Sequence, residues 1–425
     1  MRVRGSDAPC APGIQGVWGP RRYPGAVMTQ NMSADSGALT VRTITAEEHS
    51  AFLMEQPASS FLQNPRWPQV KTDWRGEPVG IFEGGRIVAA VLVLHRPLPV
   101  PDAVPLLGRR SLAYMAEGPV IAEDAPGLEE LLPPLTAHLK RQGAFLIRMG
   151  LPGTLRRWEA KEVRRALAAG EHRTIWDLDE AEFDAGAAEV QRRLKELGWT
   201  PPAASEQFDA GQPRFQARIS LEPAPAGEES EQDFQRRVDA ALSRMDQTSR
   251  RQTRKSARSE LTVTVGSAED LPEWQKLYEA TAERDGFTGR PLEYFQRMHR
   301  ELNASENAEC TLYFAHYENQ PLAAAIYVRQ GEFGWYVYGA SSTDERKRYA
   351  PRALQLRQIE DSLRAGCRFY DLGGLSPSLD PEYELAGLTR FKTTMGADVV
   401  ETHGEWDYPV SRLLTKAFTF YMSRR

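Results

Sequence analysis

A chain of 425 residues with a 41% hydrophobic fraction has room for two or three domains with sizeable cores. Its formal net charge of -5 offers no general attraction for nucleic acid, so any such contact needs a local basic patch. Cys10, Cys310 and Cys367 stand far apart without CxxC pairing, which points away from a disulfide framework or a zinc site and towards reduced thiols.

Residues 1–38 are rich in Arg, Pro and Gly and lack the apolar core of a signal peptide, so a disordered extension is expected, with Met28 or Met32 as alternative starts. No apolar run reaches the roughly 20 residues of a membrane-spanning helix. The expected location is cytoplasmic, with peripheral contact at the inner face of the membrane left open. From Ser59 to Lys71, SSFLQNPRWPQVK reads as a short helical segment. GIFEGGRIVAAVLVLHR places two apolar runs around Gly84-Gly85, a hairpin pattern, and LAYMAEGPVI adds a strand closed by Gly118-Pro119. Leu128, Leu131, Leu132, Leu135 and Leu139 space a helix that stops at Gly143, and the strand AFLIRM follows.

The same order returns later. DGFTGRPLEYFQRM leads in, LYFAHYENQPLAAAIYVRQ is a hairpin, FGWYVYGAS a strand, 351–365 a helix, Gly366 its stop, and Cys367 to Leu372 the strand after it. Hairpin, strand, helix, glycine and strand therefore occur twice, at about 79–149 and 311–372, which predicts two copies of one α+β fold with mixed sheets flanked by helices. Between the copies, about 180–199 reads as a helix and GQPRFQARISLEP as the opening strand of the second copy. Phe234, Val238, Leu242 and Met245 space a helix expected to run on through SRRQTRKSARSE. The expected domains are 39–205, completed by about 405–425, and 206–404 with a short basic helix at about 234–258. The final SRLLTKAFTFYMSRR is amphipathic, and its apolar face is expected to pack on the first domain.

Several residues could carry chemistry. Arg250, Arg251, Arg254, Lys255 and Arg258 put five cations in nine residues, a pattern suited to a row of phosphates or to a solvated helix face. Lys71 and Arg290 stand near Trp67 and Tyr294 in the two lead-in segments, where a cation can hold a pyrophosphate or carboxylate or simply face solvent. Tyr338 fits a core or a ligand contact. Lys392, beside Phe391 and ahead of Gly396, could stabilise an oxyanion at a reacting carbonyl, and Asp371 could orient it, orient an attacking amine, or cap the glycine turn. No HxxxH spacing, GxSxG elbow or Cys-His pairing is present, so metal and covalent catalysis are disfavoured and no cofactor is expected.

SSFLQNPRWPQVK, YMAEGPVI, GAFLIRMG, MDQTSRRQTRKSA, ERDGFTGRPLEYF, WYVYGASS, GCRFYDLGG, LTRFKTTMG and GEWDYP, in this order from about residue 40 to the C-terminus, resemble the FemABX family of tRNA-dependent peptidoglycan-bridge aminoacyltransferases. The chain is most similar to actinobacterial members of the lipid II:glycine glycyltransferase type. The resemblance implies two tandem acetyltransferase-like (GNAT-like) domains, with the C-terminal helix returning to the first. It implies transfer of an amino acid, glycine first among donors, from aminoacyl-tRNA as co-substrate to the peptide stem of a lipid-linked or nucleotide-linked peptidoglycan precursor. It further implies that Trp67, Lys71, Arg290, Tyr294 and Tyr338 bind the acceptor and that Phe391 and Lys392 serve the aminoacyl end. The basic helix carrying Arg250 to Arg258, where longer members insert a helical arm, is the expected tRNA contact.

Leu356 stands where relatives usually have an aromatic residue, Gly396-Ala397 replaces Gly-Gly, and Ala122 replaces an Asp after GPV. A tRNA-dependent enzyme acting on a natural-product or resistance-related peptide is therefore the first alternative. An acyl-CoA-dependent N-acyltransferase is the next, opposed by the lack of a glycine-rich pyrophosphate loop, and a membrane-surface scaffold using the C-terminal helix is the third.

Overall fold

The computed structural model describes residues 38–98, 110–202, 211–225 and 227–422. The expectation of an N-terminal disordered extension falls outside these residues.

The alternating apolar runs form two sheets. The first contains β1 (Thr40–Thr43), β2 (Arg75–Glu83), β3 (Arg86–Pro97), β4 (Ser111–Met115), β5 (Val120–Ile121) and β6 (Ala144–Gly150). The chain then crosses into the second sheet with β7 (Thr154–Trp158), β8 (Glu182–Phe183), β9 (Phe215–Ser220), β10 (Thr262–Gly266), β11 (Ala308–Tyr317), β12 (Gln320–Gln330), β13 (Phe333–Ser341), β14 (Phe369–Leu375) and β15 (Asp398–Thr402). It returns to the first with β16 (Glu405–Tyr408). The strand orders are β1-β2-β3-β4-β6-β16, with β5 beside β3, and β10-β11-β12-β13-β14-β9-β15-β7-β8.

The first six places of the two sheets correspond. In each, an edge strand and a hairpin precede a parallel pair, β4 with β6 and β13 with β14. A parallel neighbour demands a crossover, and the helices Leu128–Arg141 and Ala350–Arg364 provide it. An antiparallel strand then fills the sixth place, β16 in the first lobe and β9 in the second. This is the duplicated α+β architecture expected from the repeated order. The second sheet alone is extended, by β15, β7 and β8. β7 and β8 fall within the range 39–205 expected for the first domain, but their ladders lie in the second sheet.

Two further differences have local causes. The helix expected to run unbroken through 234–258 is two helices, Glu231–Ser243 and Gln247–Ser256. Asp246 interrupts it by accepting the Ser249 N–H (2.5 Å), an N-cap that starts a new helix. The strand expected over 367–372 runs instead over Phe369–Leu375, with a register shift between Asp371 and Gly374.

Each lobe has its own core, and a third apolar cluster joins Phe61, Trp67 and Leu92 of the first lobe to Trp274, Phe295 and Leu312 of the second. Polar contacts lock the same junction. Asn64 Nδ2 donates to Ser305 Oγ (2.8 Å), and Gln330 Nε2 donates to the Ser60 carbonyl (2.9 Å). Gly331 is required there, because a Cβ would lie 1.9 Å from the Pro57 carbonyl oxygen. The C-terminal helix Arg412–Met422 returns to the first lobe, placing Phe418 5.5 Å from the Phe145 ring.

Candidate active site

The lead-in segments of the two lobes meet at an aromatic and cationic cluster. Trp67 opens the short helix Trp67–Val70, and Lys71 stands at its C-terminal end. Lys71 Nζ lies 5.7 Å from the Trp67 ring centroid and 5.4 Å from that of Tyr294. Arg290 sits 5.2 Å from the same tyrosine ring, and Tyr338 donates to the Tyr294 hydroxyl (3.3 Å). All five expected acceptor residues are thus together, although Trp67 and Lys71 are over two hundred residues from Arg290. Burial, aided by the Arg290 charge, pushes the Lys71 ammonium down to about 8. Neither cation makes an ion pair among the described residues, so the cluster is suited to an anionic group such as a phosphate or carboxylate.

The second cluster forms at the end of β14. Phe391 and Lys392 lie on the helix Ala386–Thr394, with Lys392 buried and Phe391 half-buried under the Arg352 guanidinium, 5.4 Å from its ring. Lys392 Nζ donates to the Gly374 carbonyl (2.5 Å). Burial lowers its ammonium to about 8, against the opposing pull of Asp371. Asp371 has both oxygens engaged: Arg218 Nε donates to one (2.7 Å) and the Gly373 N–H to the other (2.6 Å). It therefore caps the glycine turn and fixes Arg218 while contributing negative charge near Lys392. Gly373 lies at φ +79°, where an added Cβ would come within 3.8 Å of Lys392 Nζ.

The clusters are linked through Phe61, whose ring contacts Trp67 (5.3 Å) and Trp335 (5.1 Å), and Trp335 is opposite Asp371 in the parallel ladder. The basic helix adjoins the second cluster, since the Asp246 N–H donates to the Thr394 carbonyl at the end of the Lys392 helix (3.1 Å). Its small polar side chains Ser249, Thr253 and Ser256 face inward, leaving Arg251, Arg254, Lys255 and Arg258 exposed and Arg250 half-buried. Among the described residues, Arg254 pairs with Asp239 (3.1 Å) and Lys255 lies over the Tyr349 ring (5.4 Å).

Sequence reasoning missed Gln216, Arg218 and Glu117, which join the lobes beside Asp371. The signal for the first two was the alternation in FQARIS, whose Phe215, Ala217 and Ile219 fill the core while Gln216 and Arg218 face the other way. Glu117 had only its position, an acidic residue at the end of an otherwise apolar strand. Cys310 and Cys367 are buried, their thiols pushed up to about 12 and 11, and are unsuited to act as nucleophiles at neutral pH.

The chain is 27% identical over 339 residues to a UDP-N-acetylmuramoylpentapeptide-lysine N(6)-alanyltransferase of Weissella viridescens, covering 77% of this chain and 84% of that protein. It is 24% identical over 440 residues to a lipid II:glycine glycyltransferase of Staphylococcus haemolyticus, covering 87% and 93%. A crystal structure of FemX superimposes with a TM-score of 0.70 at 19% identity, covering 89% of this chain and 99% of that one, which shows a shared fold. A model of the FemAB family matches residues 44–312 and 300–422, and the chain belongs to that family.

Proposed function

We propose that this protein is a non-ribosomal aminoacyltransferase that moves an amino acid, glycine first among donors, from aminoacyl-tRNA to the amine of a peptidoglycan-precursor peptide stem. The observation that carries the reading is the buried Lys392, a desolvated cation held on the Gly374 carbonyl beside Asp371. An aminoacyl ester is already activated, so transfer needs positioning, removal of an amine proton and stabilisation of the oxyanion rather than a covalent enzyme intermediate. Lys392 supplies the stabilising charge. Phe391 supports the terminal nucleoside of the donor by ring contact, and the basic helix, whose cap Asp246 meets the end of the Lys392 helix, receives phosphates of the acceptor stem. No cofactor is needed beyond the aminoacyl-tRNA.

Lys71 and Arg290 hold an anionic group of the acceptor, and Trp67, Tyr294 and Tyr338 form the apolar wall beside it. The relatives support this class of acceptor, since their names specify lipid-linked and nucleotide-linked precursors. No helix among the described residues is long and apolar enough to cross a membrane. With a charged tRNA as donor, a lipid-linked acceptor would be met from the cytoplasmic side of the membrane.

Incubation with labelled aminoacyl-tRNAs and both precursor forms should give RNase-sensitive transfer of label to the peptide stem, with glycyl-tRNA as the preferred donor. Transfer from none of a complete set of charged tRNAs would overturn the reading.

A further inference from the structure

Transfer requires a group that accepts the amine proton, and the geometry points to Glu117 as that proton acceptor, an inference that rests on the aminoacyl-transfer reading. Glu117 lies in the turn after β4 and reaches across the lobe junction, where Gln216 Nε2 on β9 donates to its carboxylate at 3.4 Å. The Gln216 amide is oriented for this by Arg218 Nη2, which donates to Gln216 Oε1, while Arg218 Nε is held by Asp371. Gln216 is also the ladder partner of Gly374, whose carbonyl receives Lys392. On the other side Glu117 neighbours Ser60, and the next residue, Phe61, packs on Trp67 of the acceptor cluster. Glu117 thus stands on the contact path between the acceptor cluster and the cation assigned to the oxyanion.

Its backbone is fixed from both sides. Gln63 Nε2 donates to the Ala116 carbonyl (2.5 Å), Gln63 Oε1 accepts the Leu92 N–H (2.8 Å), and Glu117 occupies φ +49°, a conformation uncommon for a residue with a Cβ. Such a backbone persists where surrounding contacts over-determine it, as around functional groups.

The neighbouring carboxylates are already committed. Asp371 accepts from Arg218 and the Gly373 N–H. Glu405 accepts from Tyr114 (2.5 Å) and the Gln212 N–H (3.0 Å). Among the described residues the Glu117 carboxylate accepts the long Gln216 hydrogen bond, which leaves acceptor capacity for an amine. The charges that act on it are Arg218 and Asp371 from the second lobe, and the Tyr114 phenol of β4 also feels it. Burial and the Asp371 charge push its carboxyl up, outweighing Ser60, Arg218 and Gln216, which moves it towards the range of an effective general base.

In the step itself the uncharged acceptor amine attacks the ester carbonyl and an N–C bond forms. The amine proton passes to the Glu117 carboxylate, and the ester C–O bond breaks. The leaving ribose oxygen takes a proton from the Glu117 carboxylic acid, which regenerates the carboxylate.

The test compares the full-length wild type with Glu117→Gln and Glu117→Asp in the labelled transfer assay across pH. Glu117→Gln preserves the shape of the side chain and is expected to lower kcat about 100-fold, with both KM values within about threefold. Wild-type kcat/KM should fall on the acid side through a group above the ordinary glutamate value of about 4.3, and that limb should vanish in Glu117→Gln. Glu117→Asp should recover part of the rate and the limb. A Gln variant with kcat within threefold of wild type, or an equal loss in both variants with the acid limb intact, overturns the inference while leaving the transferase reading in place. A wild type inert with every charged tRNA overturns both.

Discussion

The two lobes carry the same cross-strand ion pair with its polarity reversed. Five residues after the glycine that stops the crossover helix, the first lobe has Arg148 and the second has Asp371. Their ladder partners on the sixth strand are Asp407 and Arg218. In the first lobe the pair is bidentate (2.7 and 2.8 Å), and its side chains are 36% and 30% exposed. In the second a single Arg218 nitrogen reaches Asp371 (2.7 Å), at 13% and 2% exposure. The duplicated fold therefore accepts either polarity at this position. Only the second arrangement puts a carboxylate beside the Gly373 turn, where it moderates the desolvation of Lys392 and frees the other arm of Arg218 for Gln216.

The difference in burial sets the largest expected effect. Asp371→Ala leaves Arg218 unpaired in the junction and should destabilise the protein by about 3–5 kcal/mol, whereas Asp407→Ala, at a part-exposed pair, should cost under about 1 kcal/mol. Urea titration of both variants measures this, and equal losses would remove the distinction between the lobes.

Acid should separate the lobes next. Glu77 in the first lobe is buried and accepts from Thr43 (2.7 Å), while its carboxylate lies 2.7 Å from His95 Nε2 and 2.9 Å from His138 Nε2. Burial alone would raise its carboxyl, but the hydrogen bonds from His138, His95 and Thr43 outweigh it and hold the group well below the usual range. A carboxyl depressed in the folded state stabilises above its unfolded value of about 4.3, and that contribution is lost as pH falls towards the folded value. Hydrogen exchange on lowering the pH below about 4 should show β2 and β3 opening before β11 and β12. Simultaneous opening would contradict this assignment.

The repeated hairpin, strand, helix, glycine and strand was legible because each piece has its own periodicity and stop signal. The sixth strand was legible only in part: 405–425 was expected to complete the first lobe and GQPRFQARISLEP to open the second, but the ladders that β16 and β9 join were not foreseen, because pairing over such separations leaves no local pattern. The break at Asp246 was written in the sequence as an Asp three residues before Ser249, but the helical spacing on both sides masked it. Lys392 stood out as a cation with no counterpart in the first copy. Glu117 and Arg218 did not, because they become neighbours only when the two lobes meet.

The most direct test of the account is the pH dependence of transfer by wild type and Lys392→Met. Loss of the Lys392 proton near pH 8 should lower wild-type kcat on the basic side, because only the ammonium form stabilises the oxyanion. Lys392→Met should lower kcat about 100- to 1000-fold, abolish that basic limb, and leave the acceptor KM and the melting temperature close to wild type. A variant that folds and keeps kcat within twofold of wild type would contradict the central role assigned to Lys392.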